Sequence, residues 1–477
     1  MLRRTKIVAT LGPATDNPGI LEQLCKAGMD VARLNFSHGT ADDHRKRAKQ
    51  VKQTAGKFGR HIGILADLQG PKIRIARFKE GKIHLERNAR FVLDVSLAPE
   101  SGDRDRVGCC YPALATDVKA GNVLMLDDGR VVLEVDKTDG PRVECHVIVG
   151  GELSNHKGIN LQGGGLSAPA LTDKDKEDIE TAAEIDADYV AISFPRRAAD
   201  IHEARRLLRA AGSVAGLVAK IERAEALDAI EEIIEASDVI MIARGDLGVE
   251  IGDATLPAVQ KRLVQLARKM DTAVIIATQM MESMIYNPLP TRAEVFDVAN
   301  AIFDGTDAVM LSAETATGKY PVQAVEAMKR VCLETEKQPG ARVQLADNPH
   351  FSRVDEAIAK SAMYVANHTE IKAIAALTES GATPLWMSRL NSSIPIFAMT
   401  SRPKTCRKVT LLKGVHPLSF RLDTSDNAVL NKAAIEELEA RGMVSKGDQV
   451  ILTKGDFAGV QGGTNSLKII RVGDEVI

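Results

Sequence analysis

Between Tyr189 and Ser312 the chain carries five short apolar runs: YVAISF (Tyr189 to Phe194), LVAKIE (Leu217 to Glu222), VIMIA (Val239 to Ala243), AVIIAT (Ala273 to Thr278) and AVMLS (Ala308 to Ser312). Each is continuous in hydrophobicity rather than alternating, and a polar stretch of helical character follows it. A strand buried on both faces reads in this way, so the pattern predicts parallel βα units. Three runs of the same kind stand upstream: KIVAT (Lys6 to Thr10), DVARLN (Asp30 to Asn35) and IGILAD (Ile62 to Asp67). Together they make eight, the number that closes a (β/α)8 barrel of the TIM type.

The spacing breaks between the third and fourth runs, where residues 71–166 intervene without a long helical pattern. Alternating segments at Phe91 to Val95 and Val131 to Val135, with turn signals at Asp127 to Gly129 and at Gly150 and Gly151, predict a small inserted β-domain. The return stretch GINLQGGGLSAP places Gly163, Gly164 and Gly165 before Pro169, which predicts a hinge and makes the insert a lid over the barrel mouth. After Glu334 the segment EKQPGARVQLADNPH interrupts the alternation. Runs at Ala373 to Leu377, Pro395 to Met399, Gln449 to Thr453 and Lys468 to Arg471 then predict a separate C-terminal α/β domain. The expected division is barrel in residues 1–70 and 167–345, insert in 71–166, and a regulatory domain in 346–477.

Composition narrows the function. A chain of 477 residues exceeds one hydrophobic core. Its net charge of -2 gives no general attraction to nucleic acid or anionic membrane. An aromatic content of 4% argues against a base-stacking surface, while 44% hydrophobic residues supply aliphatic cores. The six cysteines, Cys25, Cys109, Cys110, Cys145, Cys332 and Cys406, show neither C-x-x-C spacing nor histidine partners for zinc, and are read as reduced thiols. The N-terminus MLRRTKIVATLG has no apolar signal core, and no run of about 18 apolar residues occurs, so a cytoplasmic protein is expected.

In such a barrel the chemistry sits at the carboxyl ends of the strands. Those ends carry Arg33, Asn35 and Ser37 (second run), Asp67 (third), Lys220 and Glu222 (fifth), Arg244, Gly245 and Asp246 (sixth), Thr278 (seventh), and Ser312 and Glu314 (eighth). Glu222 and Asp246, from adjacent strands, suit two hard carboxylate ligands for Mg²⁺ or Mn²⁺. Gly245, at a helix start, is expected to open backbone N–H groups to a carboxylate. Lys220 beside them would offset charge on an oxyanion or enolate; a plain Lys220–Glu222 ion pair is the alternative.

These residues lie within LNFSHGT (Leu34 to Thr40), GPKIR (Gly70 to Arg74), AKIER (Ala219 to Arg223), ARGDLGVEI (Ala243 to Ile251), ATQMMESM (Ala277 to Met284) and PTRAEVFDVANAIFDGTDAVMLSAETATGKYP (Pro290 to Pro321), which resemble pyruvate kinases. The resemblance implies phosphoenolpyruvate, ADP/ATP and pyruvate as substrates and products, and a homotetramer. Residue by residue, it implies metal binding by Glu222 and Asp246, contact of Arg33 with the transferring phosphoryl group, and enolate stabilisation by Lys220. Thr278, assisted by Ser312, would deliver a proton through water. Arg244, Gly245 and Asp246 would flank the substrate, and Asn35, His38, Arg74 and Arg197 the nucleotide. His38 also reads as a helix-capping residue, and Arg197 stands where the family usually has lysine.

Two features refine the expectation. Many family members hold K⁺ with residues matching Asn35, Ser37, Asp67 and the carbonyl of Leu68, all present here. The K⁺-dependent members typically have glutamate at the position of Lys72, whereas this chain reads DLQGPKIR, so a fixed ammonium replaces the ion and K⁺ is not required. The alternative is a solvated loop lysine beside an occupied K⁺ site. In the C-terminal domain TESGAT (Thr378 to Thr383) resembles the family's effector loop. Its Thr378, Ser380, Gly381 and Thr383 offer a phosphate cradle, and Glu379 favours a sugar or nucleotide monophosphate over a bisphosphate. An ordinary strand-to-helix turn is the alternative there. A lyase acting on pyruvate or phosphoenolpyruvate and a non-catalytic metabolite sensor are the competing readings of the whole chain.

Overall fold

The computed structural model describes residues 2–338, 351, 353–422, 424, 426–456 and 462–474. Eight strands, Lys6–Leu11, Val31–Asn35, Gly63–Asp67, Tyr189–Ile192, Gly216–Ile221, Val239–Ala243, Ala273–Ala277 and Ala308–Leu311, form a closed parallel barrel. Each pairs with its neighbours in chain order, and Lys6–Leu11 closes against Ala308–Leu311. The strands are continuous apolar runs because both faces are buried: Ile240 and Ile242 pack outward under the helices, while Val239 and Met241 pack inside the barrel. The fourth strand ends at Ile192, two residues short of the apolar run, because Phe194 adopts a left-handed φ of 56° and turns the chain out.

The insert builds a six-stranded sheet in the order Ile159–Leu161, Val123–Leu126, Val131–Asp139, Arg142–Val149, Arg90–Asp94, Arg106–Gly108, and a two-stranded pair, Gly151–Ser154 with Lys82–Leu85. Its one described helix is the single turn Leu114–Asp117. Val131–Asp139 and Arg142–Val149 alternate buried and open residues, as a sheet with one covered face requires. At the turn before Val131, Asp127 and Asp128 both have positive φ, 50° and 56°.

The C-terminal sheet has five strands in the order Val415–Ser419, Ile396–Thr400, Ile371–Leu377, Gln449–Gly455, Thr464–Arg471. Val415–Ser419 was not anticipated from the sequence. It is short, contains His416 and Pro417, and lies at the sheet edge, where a missing N–H removes no ladder bond. The core of this domain is continuous with the barrel interior: Ile374, Met387 and Val409 belong to one apolar cluster with Val8, Val31 and Met310. The expected boundary at 345/346 lies outside the described residues. All six cysteines are free thiols, and among the described residues no helix is long and apolar enough to cross a membrane.

Candidate active site

A cleft of about 390 Å³ opens where the carboxyl ends of the barrel strands meet the insert. The barrel contributes Arg33, Asn35, Ser37, Lys220, Glu222, Asp246, Thr278 and Ser312, and the segment leading into the insert contributes Lys72 and Arg74. The insert supplies Asp127, Asp128, His156 and Lys157 from the far wall.

The floor is a charge network centred on Asp67. This fully buried carboxylate accepts from Arg33 Nε at 2.6 Å and lies 3.3 Å from Lys220 Nζ. Arg33 Nη1 also donates to Thr10 Oγ1 at 2.9 Å, and Thr10 Oγ1 donates to the Leu311 carbonyl at 2.8 Å. Lys220 Nζ donates to Ser193 Oγ at 2.7 Å and stands 2.9 Å from Glu222 Oε1. Burial works against this ammonium, but Asp67 and Glu222 outweigh it and hold the Lys220 pKa above the ordinary lysine value. Burial also opposes ionisation of Asp67, and there Lys220 and Arg33 prevail and hold the carboxyl low. The Lys220–Glu222 pair is therefore real, but it is one contact within a larger set.

Glu222 and Asp246 meet differently. Glu222 follows the fifth strand and Asp246 sits in the first turn of helix Arg244–Ile251 after the sixth, so adjacent strands bring both to the cleft. Glu222 Oε2 accepts from the Phe194 N–H at 2.9 Å. Burial pushes the Glu222 carboxyl up to about 7, and Asp246 adds to the rise while Lys220 opposes it. Asp246 is raised by desolvation with a contribution from Asp128 across the cleft. Two carboxylates in one cleft that resist ionisation chiefly because burial desolvates them are a donor set that a divalent cation fits. Among the described residues no third His, Cys, Asp or Glu completes an all-protein metal cage, which leaves room for substrate oxygens.

Other expected residues are placed as follows. The Arg244 guanidinium is turned out of the cleft, donating from Nη1 to Asp297 and from Nη2 to the Thr278 carbonyl, both at 2.7 Å. The Gly245 N–H, expected to be open to a carboxylate, instead donates to Thr278 Oγ1 at 2.9 Å. It can do so because Thr278, at φ 70°, turns its hydroxyl toward it. Ser312 shares the cleft with Thr278, and its N–H donates to Glu314 Oε2 at 2.6 Å. Asn35 Oδ1 accepts from the Ser37 N–H at 3.1 Å, and the Leu68 carbonyl accepts from Ser193 Oγ at 2.7 Å. His38 and Arg197 do not line the cleft; Arg197 is exposed just before helix Ala198–Ala210, its N–H donating to Asp200. Burial, with Lys72 and Arg74, holds the His38 pKa below the ordinary value.

Two contributors were missed. Ser193 stands one residue past a barrel strand, so the rule that found Lys220 and Thr278 could have found it. Asp128 was read as a turn residue in Asp-Asp-Gly, and its charge toward the barrel becomes visible only when the insert folds over the cleft.

Two family models match the chain: "Pyruvate kinase, barrel domain" over residues 2–325 and "Pyruvate kinase, alpha/beta domain" over residues 356–470. The chain belongs to the pyruvate kinase family. It is 54% identical over 476 residues to pyruvate kinase II of Salmonella typhimurium, covering 99% of each chain. It is 53% identical over 476 residues to a pyruvate kinase of Buchnera aphidicola subsp. Schizaphis graminum, again with 99% of each covered. Against the pyruvate kinase of Haemophilus influenzae the identity is 52% over 465 residues, 96% of this chain and 97% of that one. Membership makes this enzyme a phosphotransferase of a family that depends on divalent metal, with phosphoenolpyruvate, ADP/ATP and pyruvate as its substrates and products.

Of the residues expected to form an effector loop, Thr378, Ser380 and Thr383 line a second cleft of about 560 Å³ in the C-terminal domain, with Glu379, Ser401, Arg421 and Lys454 among others, while Gly381 does not line it. Gly381 caps helix Ala382–Arg389 at φ 88°, where a Cβ would come within 2.8 Å of Val409 Cγ1, and its N–H donates to Thr378 Oγ1 at 3.0 Å. Thr383 Oγ1 is 2.8 Å from Thr464 Oγ1, and Glu379 is paired with Arg402. The sequence had not connected Ser401, Arg421 and Lys454 with this loop, because they arrive from other strands of the sheet.

Proposed function

We propose that this chain transfers the phosphoryl group of phosphoenolpyruvate to ADP in the glycolytic direction, in the cytoplasm, without a requirement for K⁺. The observation that carries this reading is the pair of cations, Arg33 and Lys220, that one buried carboxylate, Asp67, holds at the cleft floor beside Glu222 and Asp246. Arg33 binds the phosphoryl group in transfer, and an ADP β-phosphate oxygen, with Arg74 and Asn35 around the nucleotide, attacks phosphorus. The bond from phosphorus to the enol oxygen breaks, and Lys220 offsets the negative charge left on that oxygen. The enolate carbon then takes a proton from water held at Thr278 and Ser312. Mg²⁺ or Mn²⁺ bound by Glu222 and Asp246 would supply charge neutralisation and alignment of the reacting oxygens. Lys72 substitutes for the monovalent ion. The insert acts as a lid on the Gly163, Gly164 and Gly165 hinge, with φ of 82°, 80° and 112°.

A sugar or nucleotide monophosphate bound at the C-terminal cleft activates the enzyme. The homotetramer has support in two exposed apolar sets: Tyr286, Leu289 and Phe296 on the barrel, and Val354, Tyr364 and Ile469 on helix Val354–His368 and the strand Thr464–Arg471 packed against it. The deciding experiment is pyruvate formation from phosphoenolpyruvate and ADP with Mg²⁺, without K⁺ and then with it. Activity in both conditions is expected; activity only with K⁺ removes the Lys72 assignment, and none in either removes the phosphotransfer reading.

A further inference from the structure

The segment on which the insert returns to the barrel is stitched there by residues that the proposed chemistry does not use. Arg223, Ala224 and Glu225 leave the fifth barrel strand directly after Glu222, and Glu250 stands one turn beyond Asp246 on helix Arg244–Ile251. Arg223, Glu225 and Glu250 all line the cleft. Glu225 Oε1 accepts from the Gly165 N–H. Arg223 Nη1 donates to the Leu166 carbonyl at 2.8 Å, and the Gly163 N–H donates to the Glu250 carbonyl at 3.0 Å. Glu250 Oε2 accepts from the Ala224 N–H at 2.7 Å, which joins the two barrel segments to each other. One residue further on, the insert takes over: the Ser167 N–H and Oγ donate to Asp117 at 2.7 and 3.0 Å. The stretch from Gly163 to Ser167 is thus gripped from both sides.

Within this grip Glu225 meets the turn most closely. Its Oε2 is buried and accepts no hydrogen bond among the described residues, an unfavourable position that a carboxylate free to turn toward water would leave. That oxygen faces Gly164, whose φ of 80° already favours glycine and where an added Cβ would run into the carboxylate. Side chain and turn fit each other as a pair. We propose that Glu225 is a positioning residue for phosphoryl transfer: it clamps the Gly164–Gly165 turn and so sets the angle at which the insert stands over the cleft. This role rests on the reading of the insert as a lid. Its effect falls on the nucleotide. Arg33, Lys220, Asp246 and Thr278, which meet phosphoenolpyruvate in the proposed chemistry, all belong to the barrel, whereas Arg74 lies on the segment leading into the insert.

The test compares Glu225→Ala with Glu225→Gln in the full-length enzyme, by amide hydrogen exchange and by initial rates. In the ligand-free enzyme, Glu225→Ala should speed exchange at Gly165 by about 10-fold or more, and Glu225→Gln, whose amide oxygen can accept the same N–H, should restore most of the protection. Glu225→Ala should raise KM for ADP by about 10-fold and leave KM for phosphoenolpyruvate within about 2-fold, with Glu225→Gln close to wild type. Gly164→Ala, which crowds the clamp from the other side, should raise KM for ADP in the wild-type background and much less in Glu225→Ala. Unchanged exchange at Gly165 overturns the clamp. Faster exchange with KM for ADP intact, or an equal rise in both KM values, overturns the positioning role, as does an undiminished effect of Gly164→Ala in Glu225→Ala. The lid reading has its own control: exchange across the insert of the wild type should slow when Mg²⁺, ADP and pyruvate, a set that cannot react, are added. A wild type indifferent to them removes the lid and the positioning role together, while the Gly165 amide still reports on the clamp.

Discussion

The Lys220 ammonium donates a hydrogen bond of 2.7 Å to the Ser193 hydroxyl, and that hydroxyl in turn donates to the Leu68 carbonyl at 2.7 Å. Ser193 touches none of the reacting atoms in the proposed chemistry; it fixes where the ammonium points. Without it, Lys220 keeps only its carboxylate partners, Glu222 and Asp67, and is drawn toward them. Ser193→Ala should therefore lower kcat by about 10²-fold, the scale of losing one oriented charge donor, with a much smaller change in KM for phosphoenolpyruvate. Ser193→Thr should recover part of the loss. A lowered unfolding midpoint with kcat intact would instead mark Ser193 as a packing residue only.

Lys72 shares the cleft with Arg33, Asn35, Ser37 and Asp246. Burial, aided by Arg74 and Lys220, lowers its pKa, and the attraction of Asp246 and Asp67 opposes that. Asp67 Oδ1 is buried and accepts no hydrogen bond among the described residues, with Lys220 at 3.3 Å as its nearest counter-charge. Lys72→Glu adds a negative charge to that cluster, so activity should become dependent on K⁺. The check is the rate of pyruvate formation against KCl, with tetramethylammonium chloride holding ionic strength constant; equal rates in the two salts would refute it.

The strand runs and their polar ends were legible because both are local. Continuous apolar stretches mark doubly buried strands, and Arg33 and Lys220 stand near the carboxyl ends of theirs, while Glu222, Asp246 and Thr278 come within three residues after theirs. What stayed hidden depends on contact between distant segments. Nothing near Asp307 indicates that Arg389, 82 residues away, binds it, nor does TESGAT reveal that Arg421 and Lys454 share its cleft. Val415–Ser419 was missed for the opposite reason: its local signal, with His416 and Pro417, argues against a strand that the neighbouring Ile396–Thr400 imposes by pairing. The positive φ of Thr278 likewise contradicts its local preference, as residues at functional sites tend to.

The Arg389–Asp307 pair is buried on both sides and joins the C-terminal domain to the barrel. Asp307 also accepts from the N–H groups of Val274 at 2.9 Å and Lys413 at 3.1 Å, and Arg389 Nη1 donates to the Thr272 carbonyl at 2.8 Å. Arg389→Ala strands a buried carboxylate and should cost about 3–5 kcal/mol in urea unfolding. Burial alone would raise the Asp307 pKa, but Arg389 and the N–H donors hold it below the ordinary aspartate value. A carboxyl depressed in the folded state contributes stability that is complete above its unfolded pKa of about 3.9 and is lost as pH falls below that value through the folded pKa. The stability difference between wild type and Arg389→Ala should accordingly shrink as pH drops below about 4. A difference that stays constant down to acid denaturation would mean that the pair contributes through packing alone.

In the proposed effector loop the Gly381 N–H already has the Thr378 hydroxyl as partner, and Ala382 N–H reaches Ser380 Oγ at 3.4 Å. A bound phosphate would take over these donors and bring in the two hydroxyls. Thr378→Ala with Ser380→Ala should abolish activation by sugar and nucleotide monophosphates while leaving the basal rate within about 2-fold, since the cleft belongs to another domain from the chemistry. Initial rates at sub-saturating phosphoenolpyruvate, with and without each monophosphate, decide it; activation that persists in the double variant removes the loop from the effector site.

Thr278 is a β-branched residue held at φ 70°, a conformation that costs an L-residue about 1–2 kcal/mol. Its Oγ1 accepts from the Gly245 N–H at 2.9 Å and donates to the Ala277 carbonyl at 2.7 Å, so the strained backbone aims the hydroxyl along the cleft wall beside Ser312. Two substitutions separate strain from chemistry. Thr278→Ala and Thr278→Gly both remove the hydroxyl and both leave the Gly245 N–H without that partner, yet only glycine relieves the backbone. After the greater flexibility of glycine in the unfolded chain is deducted, Thr278→Gly should be more stable than Thr278→Ala by about 1 kcal/mol. Activity should not follow stability: both variants should lose kcat to a similar extent if the hydroxyl holds the proton-delivering water, and Thr278→Ser should retain most of it. Exchange of the methyl protons of pyruvate with solvent, followed by NMR, isolates the proton step from phosphoryl transfer. If both variants exchange at the wild-type rate, the hydroxyl has no part in proton delivery, and the strain at Thr278 must serve the Arg244 and Gly245 contacts instead.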